Sequence, residues 1–172
     1  MSFSASWLAL REPADHRARD PKLAQELAHS LAQHPIAKIM DLGCGSGSNL
    51  RALAPYLGAQ QDWTLVDYDP LLLDAARSAL KDWADEWAEA DGALILKTSG
   101  KTLHVAFRQA DLSQGLATLL QDKPDCVTAS ALFDLCSRDF IQQAAADIAV
   151  AGAAFYTVLT YDGAEHWSPA HE

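Results

Sequence analysis

A chain of 172 residues that is 49% apolar and 21% charged suits one globular domain, and it excludes a wholly disordered or collagen-like polymer. Thirteen Lys and Arg against 23 Asp and Glu give a formal net charge of −10, a field that repels phosphate backbones and anionic headgroups, so neither nucleic acid nor a membrane surface is expected as a partner. Cys44, Cys126 and Cys136 form no CxxC pair and no His/Cys group. That spacing argues against a disulfide framework and against a metal site, and it fits a reducing cytoplasm. No stretch approaches the ~18 apolar residues of a membrane span, and residues 1–10 lack the basic flank and apolar run of a signal peptide.

Residues 1–19 mix aromatics with a polar, proline-containing run and read either as a short helical entry or as a lid. Trp7, Leu8 and Leu10 would accordingly close over a ligand or cover the apolar edge of a sheet, and Arg11 is a contact for a carboxylate. Asp20 before Pro21 is an N-cap acceptor with proline at the first helical position, and Leu23, Leu27 and Leu31 recur at helical spacing, so an amphipathic helix is predicted. The apolar run 36–42 halts at Gly43-Cys44-Gly45-Ser46-Gly47, as a buried strand ending in a tight turn would. A helix over 48–54 and a second strand over 63–67 follow. Asp69-Pro70 repeats the capped start, and Leu72, Ala76, Leu80, Trp83 and Trp87 predict one long helix from 71 to about 90 with an acidic, solvated outer face. Residues 94–97 and 103–107 flank a glycine-bearing turn as a β-hairpin. A short helix around 116–120, a strand over 124–129, an alanine-rich helix over 140–150 and a last strand over 154–160 complete the series.

Strands alternating with helices predict an α/β domain, a doubly wound and mostly parallel sheet with helices on both faces. The chain divides into an N-terminal segment (1–19), this domain (20–160) and a tail (161–172). In such sheets ligands bind beyond the carboxyl ends of the strands, which here carry Asp41, Asp67, Asp111 and Ser130. The glycine-rich turn lets the backbone approach a ligand, and the helix after it offers unpaired N–H groups to a carboxylate or a phosphate. A dinucleotide fingerprint needs glycine at its sixth position, where Ser48 stands; Asp67 suits the ribose of either cofactor class.

The chain resembles the class I S-adenosylmethionine-dependent methyltransferases. Their first motif, an acid followed by GxGxG, is matched by Asp41-Leu42-Gly43-Cys44-Gly45-Ser46-Gly47. Val66-Asp67-Tyr68-Asp69-Pro70 with Leu73 looks like the second motif, Gln109-Ala110-Asp111-Leu112 like the third, and residues 125–130 like the fourth. The resemblance implies that Gly43, Cys44, Gly45 and Gly47 line the methionine moiety and that Asp41 holds its ammonium group directly or through water. Asp67 would bind the ribose hydroxyls, Tyr68 would flank the adenine, and Asp111 with the Leu112 backbone would meet the adenine amino group. Ser130 would lie near the methionine end, with Leu132, Phe133 and Asp134 toward the acceptor. The family's sheet has seven strands and ends in a hairpin. Only twelve residues follow Thr160, so the sheet is expected to lack that terminal hairpin and to expose its last parallel strand as an edge for a second copy.

The implied activity is methyl transfer from S-adenosylmethionine to a small-molecule acceptor, leaving S-adenosylhomocysteine. Asp134 and Tyr161, just beyond the fourth and fifth parallel strands, are the candidates for a general base. Two alternatives are carried: a non-catalytic binding or assembly subunit of methyltransferase type, and a nicotinamide-dependent oxidoreductase, which Ser48 and the lack of a Tyr-xxx-Lys set disfavour.

Overall fold

The computed structural model describes residues 3–159. In chain order the elements are α1 (Ala5–Ala18), α2 (Pro21–Leu31), β1 (Ala37–Leu42), α3 (Ser48–Leu53), β2 (Gln60–Asp67), α4 (Pro70–Trp83), β3 (Glu86–Ala90), β4 (Ala93–Thr98), β5 (Lys101–Gln109), β6 (Cys126–Ser130), α5 (Arg138–Ala151) and β7 (Ala154–Val158). Both Asp-Pro starts behave as predicted. Asp20 accepts from the Lys22 N–H at 2.8 Å and Asp69 from the Leu71 N–H at 2.9 Å, which satisfies one of the donors that each helix start leaves open.

The strands form one sheet in the order β3-β4-β5-β2-β1-β6-β7. β5, β2, β1, β6 and β7 pair in parallel, whereas β3 and β4 run as an antiparallel hairpin at one edge. Alternation of side chains along the strands sends successive residues to opposite layers. Ile39, Trp63 and Leu65 join the Leu27, Leu53 and Leu80 side chains of α2, α3 and α4 on one face. Met40, Val66 and Val127 join Ala144 and Ile148 of α5 on the other. Trp63, Leu65 and Val66 are fully buried, and burial on this scale stabilises by roughly 1.5–3 kcal/mol per large apolar side chain.

Three expectations are corrected. The predicted helix to about residue 90 stops at Trp83, and residues 86–90 form β3, with Trp87 opposite Leu96. The cause is the two-residue turn Asp91-Gly92, with φ of 51° and 80°, which closes a hairpin onto β4 and outcompetes continuation of the helix. The expected loss of the terminal hairpin is not borne out, since the sheet has seven strands. Its antiparallel hairpin lies beside β5 and precedes it in the chain, and β3, the strand read as helix, belongs to it. The short helix expected near 116–120 is a pair of 3-10 turns, Leu112–Gln114 and Leu119–Asp122.

Residues 5–18, left open between a helical entry and a lid, are helical. Ser4 caps α1 through the Trp7 N–H, Pro13 lies inside it, and none of its residues is buried. Among the described residues no helix is long and apolar enough to cross a membrane.

Candidate functional site

The chain runs from β1 outward through β2 to β5 and then returns to the other side of β1 for β6, so the strand order switches between β1 and β6. Loops leaving two such strands in opposite directions open a crevice. Its floor is the loop after β1, where Gly43, Gly45 and Gly47 have φ of 62°, 53° and 76°. A Cβ on Gly43 would stand 3.1 Å from Leu132 Cδ1, and one on Gly45 would stand 3.1 Å from Leu8 Cδ1. The left-handed backbone favours glycine at these two positions, and a side chain there would also press on Leu132 or Leu8.

The loop is tied to the end of β2. The Gly45 N–H donates to Asp67 Oδ2 at 2.8 Å, the Asp69 N–H to Asp67 Oδ1 at 3.0 Å, and the Cys44 N–H to the Val66 carbonyl at 3.0 Å. Each Asp67 oxygen keeps a further acceptor site.

Beneath the loop lies a polar chain. Asn49 Nδ2 donates to Asp41 Oδ1 at 2.7 Å and to Thr128 Oγ1 at 2.9 Å. Arg19 Nη1 donates to Asn49 Oδ1 at 2.8 Å, and Arg19 Nη2 donates to Ser130 Oγ at 3.0 Å. Asp41 is only 1% exposed, and among the described residues its second oxygen has no hydrogen-bond partner. Burial pushes this carboxyl up to about 7, against the pull of the Asn49 hydrogen bond and the Arg19 charge. Burial and the neighbouring carboxylates also push the Cys44 thiol up, away from the thiolate that a reactive cysteine needs.

Above the floor is a cavity of about 500 Å³. Of the residues singled out in the sequence, Gly43, Cys44, Gly45, Asp67, Tyr68, Asp111, Leu112 and Ser130 line it. Leu132 and Asp134 also reach it, but Phe133 does not. Its ring is 8% exposed and packs edge-on against Phe155, so Phe133 is corrected to a core residue. Asp41 and Gly47 do not line the cavity, and Asp41 reaches it only through Asn49. Asp111 accepts from the Ser113 N–H at 3.0 Å, which caps the first 3-10 turn, and hydrogen bonding from the Ser113 side chain and then its backbone holds the Asp111 carboxyl below the usual range. Tyr161 lies outside the described residues.

The roof is α1, through Trp7, Leu8, Arg11 and Asp15. Polar contacts hold it: Arg51 Nε and Nη2 clasp the two Glu12 oxygens, and His16 Nε2 lies 2.9 Å from Ser48 Oγ. Arg11, expected at a ligand carboxylate, instead grips Asp15 at 2.7 and 3.0 Å and lies over the Trp7 ring. Sequence reasoning missed Arg19, Asn49, Thr128, Glu12 and Arg51. Asn49 and Arg51 had a positional signal, since they follow the glycine loop directly; the others had none.

A left-handed glycine loop at the switch of strand order, with Asp67 ending β2 and Asp111 just past β5, defines an α/β domain built to hold a small ligand at the carboxyl edge of its sheet. Residues 39–163 match a family model described as a methyltransferase domain, and the chain belongs to that family. No curated protein sequence matches it. Among solved structures it is similar to an S-adenosylmethionine-dependent methyltransferase from Clostridium acetobutylicum, with 14% identity over 88% of this chain and 55% of that one and a TM-score of 0.51. It is also similar to the carbon methyltransferase of CurJ, with 12% identity over 88% of this chain and 39% of that one and a TM-score of 0.51. The chain thus spans 55% and 39% of the lengths of these two proteins, and at such identities the likeness is one of fold.

Proposed function

We propose that this methyltransferase domain takes S-adenosylmethionine as cofactor, transfers its methyl group to a small-molecule acceptor and releases S-adenosylhomocysteine. The observation that carries the reading is the glycine loop, left-handed at three positions and pinned through Gly45 to the Asp67 carboxylate at the rim of the cavity. The residues present fit the cofactor. The close approach at Gly43 and Gly45 leaves bare backbone toward the cavity, and the buried, unpartnered oxygen of Asp41 is an acceptor awaiting a donor.

In this reading Asp67 receives the ribose hydroxyls on the acceptor sites that its two backbone donors leave free. Tyr68, Asp111 and the Leu112 backbone take the adenine, while Gly43, Cys44 and Gly45 with Ser130 take the methionine end, and Gly47 shapes the loop without touching it. Asp41 acts from beneath, steering Asn49 and reaching the ammonium group through water. When bound, the cofactor supplies a methyl carbon activated by a sulfonium. The contribution of the protein is to hold the acceptor atom in line with that carbon and to exclude water, a proximity effect that asks little covalent chemistry of the side chains. Within the N-terminal segment, α1 serves as the lid. Asp134 takes a proton where the acceptor must lose one.

Calorimetric titration with S-adenosylmethionine, S-adenosylhomocysteine and NAD tests this. Binding of both adenosyl compounds, lost in Asp67→Ala, with no heat from NAD, is the expected result. Binding of NAD alone would replace the reading with an oxidoreductase. Adenosyl binding without transfer to any acceptor would favour a non-catalytic subunit.

A further inference from the structure

Besides the groups assigned to the cofactor, the cavity is lined by several large apolar side chains. Phe3 and Trp7 stack at 5.0 Å between ring centroids with 15° between the planes, and both line the cavity. Leu132, Leu135 and Leu159 line it too. Trp7 is 42% and Leu135 61% exposed, so among the described residues these large apolar lining groups are only partly covered. Apolar surface gathered at a cavity mouth marks a place where an apolar ligand is taken up.

Two strained residues also line the cavity. Ala131 and Leu159 follow the ends of the neighbouring strands β6 and β7, and both have positive φ, 53° and 58°. For a leucine this conformation is a true outlier. The Ala131 N–H donates to the Val158 carbonyl at 3.0 Å, which locks the two strand ends together. Strain of this kind persists where surrounding structure enforces it, and here both strained residues line the cavity.

The charges are one-sided. Among the described residues lining the cavity, the carboxylates are Asp15, Asp67, Asp69, Asp111 and Asp134, and Arg11 is the one cation, already gripped by Asp15. Asp67, Asp69 and Asp111 are fixed by backbone N–H donors at 2.8, 2.9 and 3.0 Å. Asp134 has neither an ion pair nor a hydrogen bond among the described residues. The single net positive charge of a sulfonium cofactor does not reverse this excess. A carboxylate or phosphate on the acceptor would enter a repulsive field, whereas an amine would find Asp134 unoccupied.

We infer that the acceptor is a small, planar, apolar molecule without negative charge, a neutral alcohol or an amine, seated against Phe3, Trp7, Leu132, Leu135 and Leu159. The inference rests on the methyltransferase reading of the cavity. Three probes with one ring and different charge test it: tryptophol, tryptamine and indole-3-acetate, each titrated into the chain with S-adenosylhomocysteine present and followed by the NMR amide signals of Ala131 and Leu159.

Tryptophol and tryptamine shift both signals to saturation, and indole-3-acetate binds at least about tenfold more weakly. Asp134→Asn weakens tryptamine more than it weakens tryptophol, bringing the two to a similar level. Leu135→Asp, at an exposed position that the fold tolerates, weakens tryptophol by about fivefold or more. Equal binding of indole-3-acetate, or no response to any of the three probes, would overturn the inference. The heat of S-adenosylhomocysteine binding, measured first on the same sample, separates the two levels: its absence defeats the methyltransferase reading, and its presence without any indole response defeats only the acceptor class.

Discussion

Replacing Asp41 by asparagine removes a carboxyl group that is 1% exposed and lifted from an ordinary value of 3.8 to about 7 by burial. Because the folded value lies above the unfolded one, the native state holds a proton that the unfolded chain has already lost. The stability gained from that proton is therefore fully present below about pH 4 and is lost as pH rises through about 7. At about 1.36 kcal/mol for each pH unit the whole shift corresponds to roughly 4 kcal/mol, of which about 2–3 kcal/mol falls between pH 5 and pH 8. Asparagine at the same place offers the same acceptor to Asn49 and has no proton to lose. Urea denaturation of the wild-type chain and of Asp41→Asn at pH 5 and pH 8 reads this difference directly, since the titrations of all other groups cancel between the two proteins. The variant gains about 2–3 kcal/mol on the wild type over that interval. Parallel pH dependences, agreeing within about 0.5 kcal/mol, would refute the buried, proton-binding state of Asp41.

Gly45→Ala places a methyl group 3.1 Å from Leu8 Cδ1 at a φ of 53°, so stability falls by roughly 1–2 kcal/mol and affinity for S-adenosylhomocysteine by about tenfold, read by urea melts and calorimetry. Glu12→Gln leaves the mostly buried Arg51 without its carboxylate and frees the roof, so trypsin cuts after Arg17 and Arg19 sooner while hydrogen exchange in β1 and β2 is unchanged. Gly92→Ala, at a φ of 80° in the hairpin turn, lowers stability by roughly 1 kcal/mol and leaves cofactor affinity as it is, because the turn is remote from the cavity lining.

The parts of the fold that were legible in the sequence are those where one local rule acts without competition. Asp-Pro pairs start α2 and α4 because proline and an N-cap acceptor satisfy the same helix start. The continuous apolar runs of β1 and β6 betray strands buried on both faces. Asp67 and Asp111 were found by a similar rule, since they stand at and just past the ends of β2 and β5. β3 was not legible because Trp83 and Trp87 repeat at a helical interval, while every residue of β3 is exposed and shows no inside-outside alternation. Only the Asp91-Gly92 turn announced the hairpin. The role of α1 was equally hidden. It is held by Glu12, His16 and Arg19 reaching partners 30 to 40 residues or more away in sequence, and ion pairs and hydrogen bonds of that span leave no periodic trace. The chain Arg19–Asn49–Asp41 was invisible for the same reason, although Asp41 and Asn49 stand on either side of the most conspicuous glycine motif in the sequence.

The most direct test of the central claim is a crystal structure of this chain with S-adenosylhomocysteine. The account predicts the ribose hydroxyls on the Asp67 carboxylate, the adenine beside Tyr68 and Asp111, and the amino-acid end over Gly43 to Gly45 under α1. A ligand bound away from Asp67, or an adenine ring placed against Phe3 and Trp7 where the acceptor belongs, would contradict it.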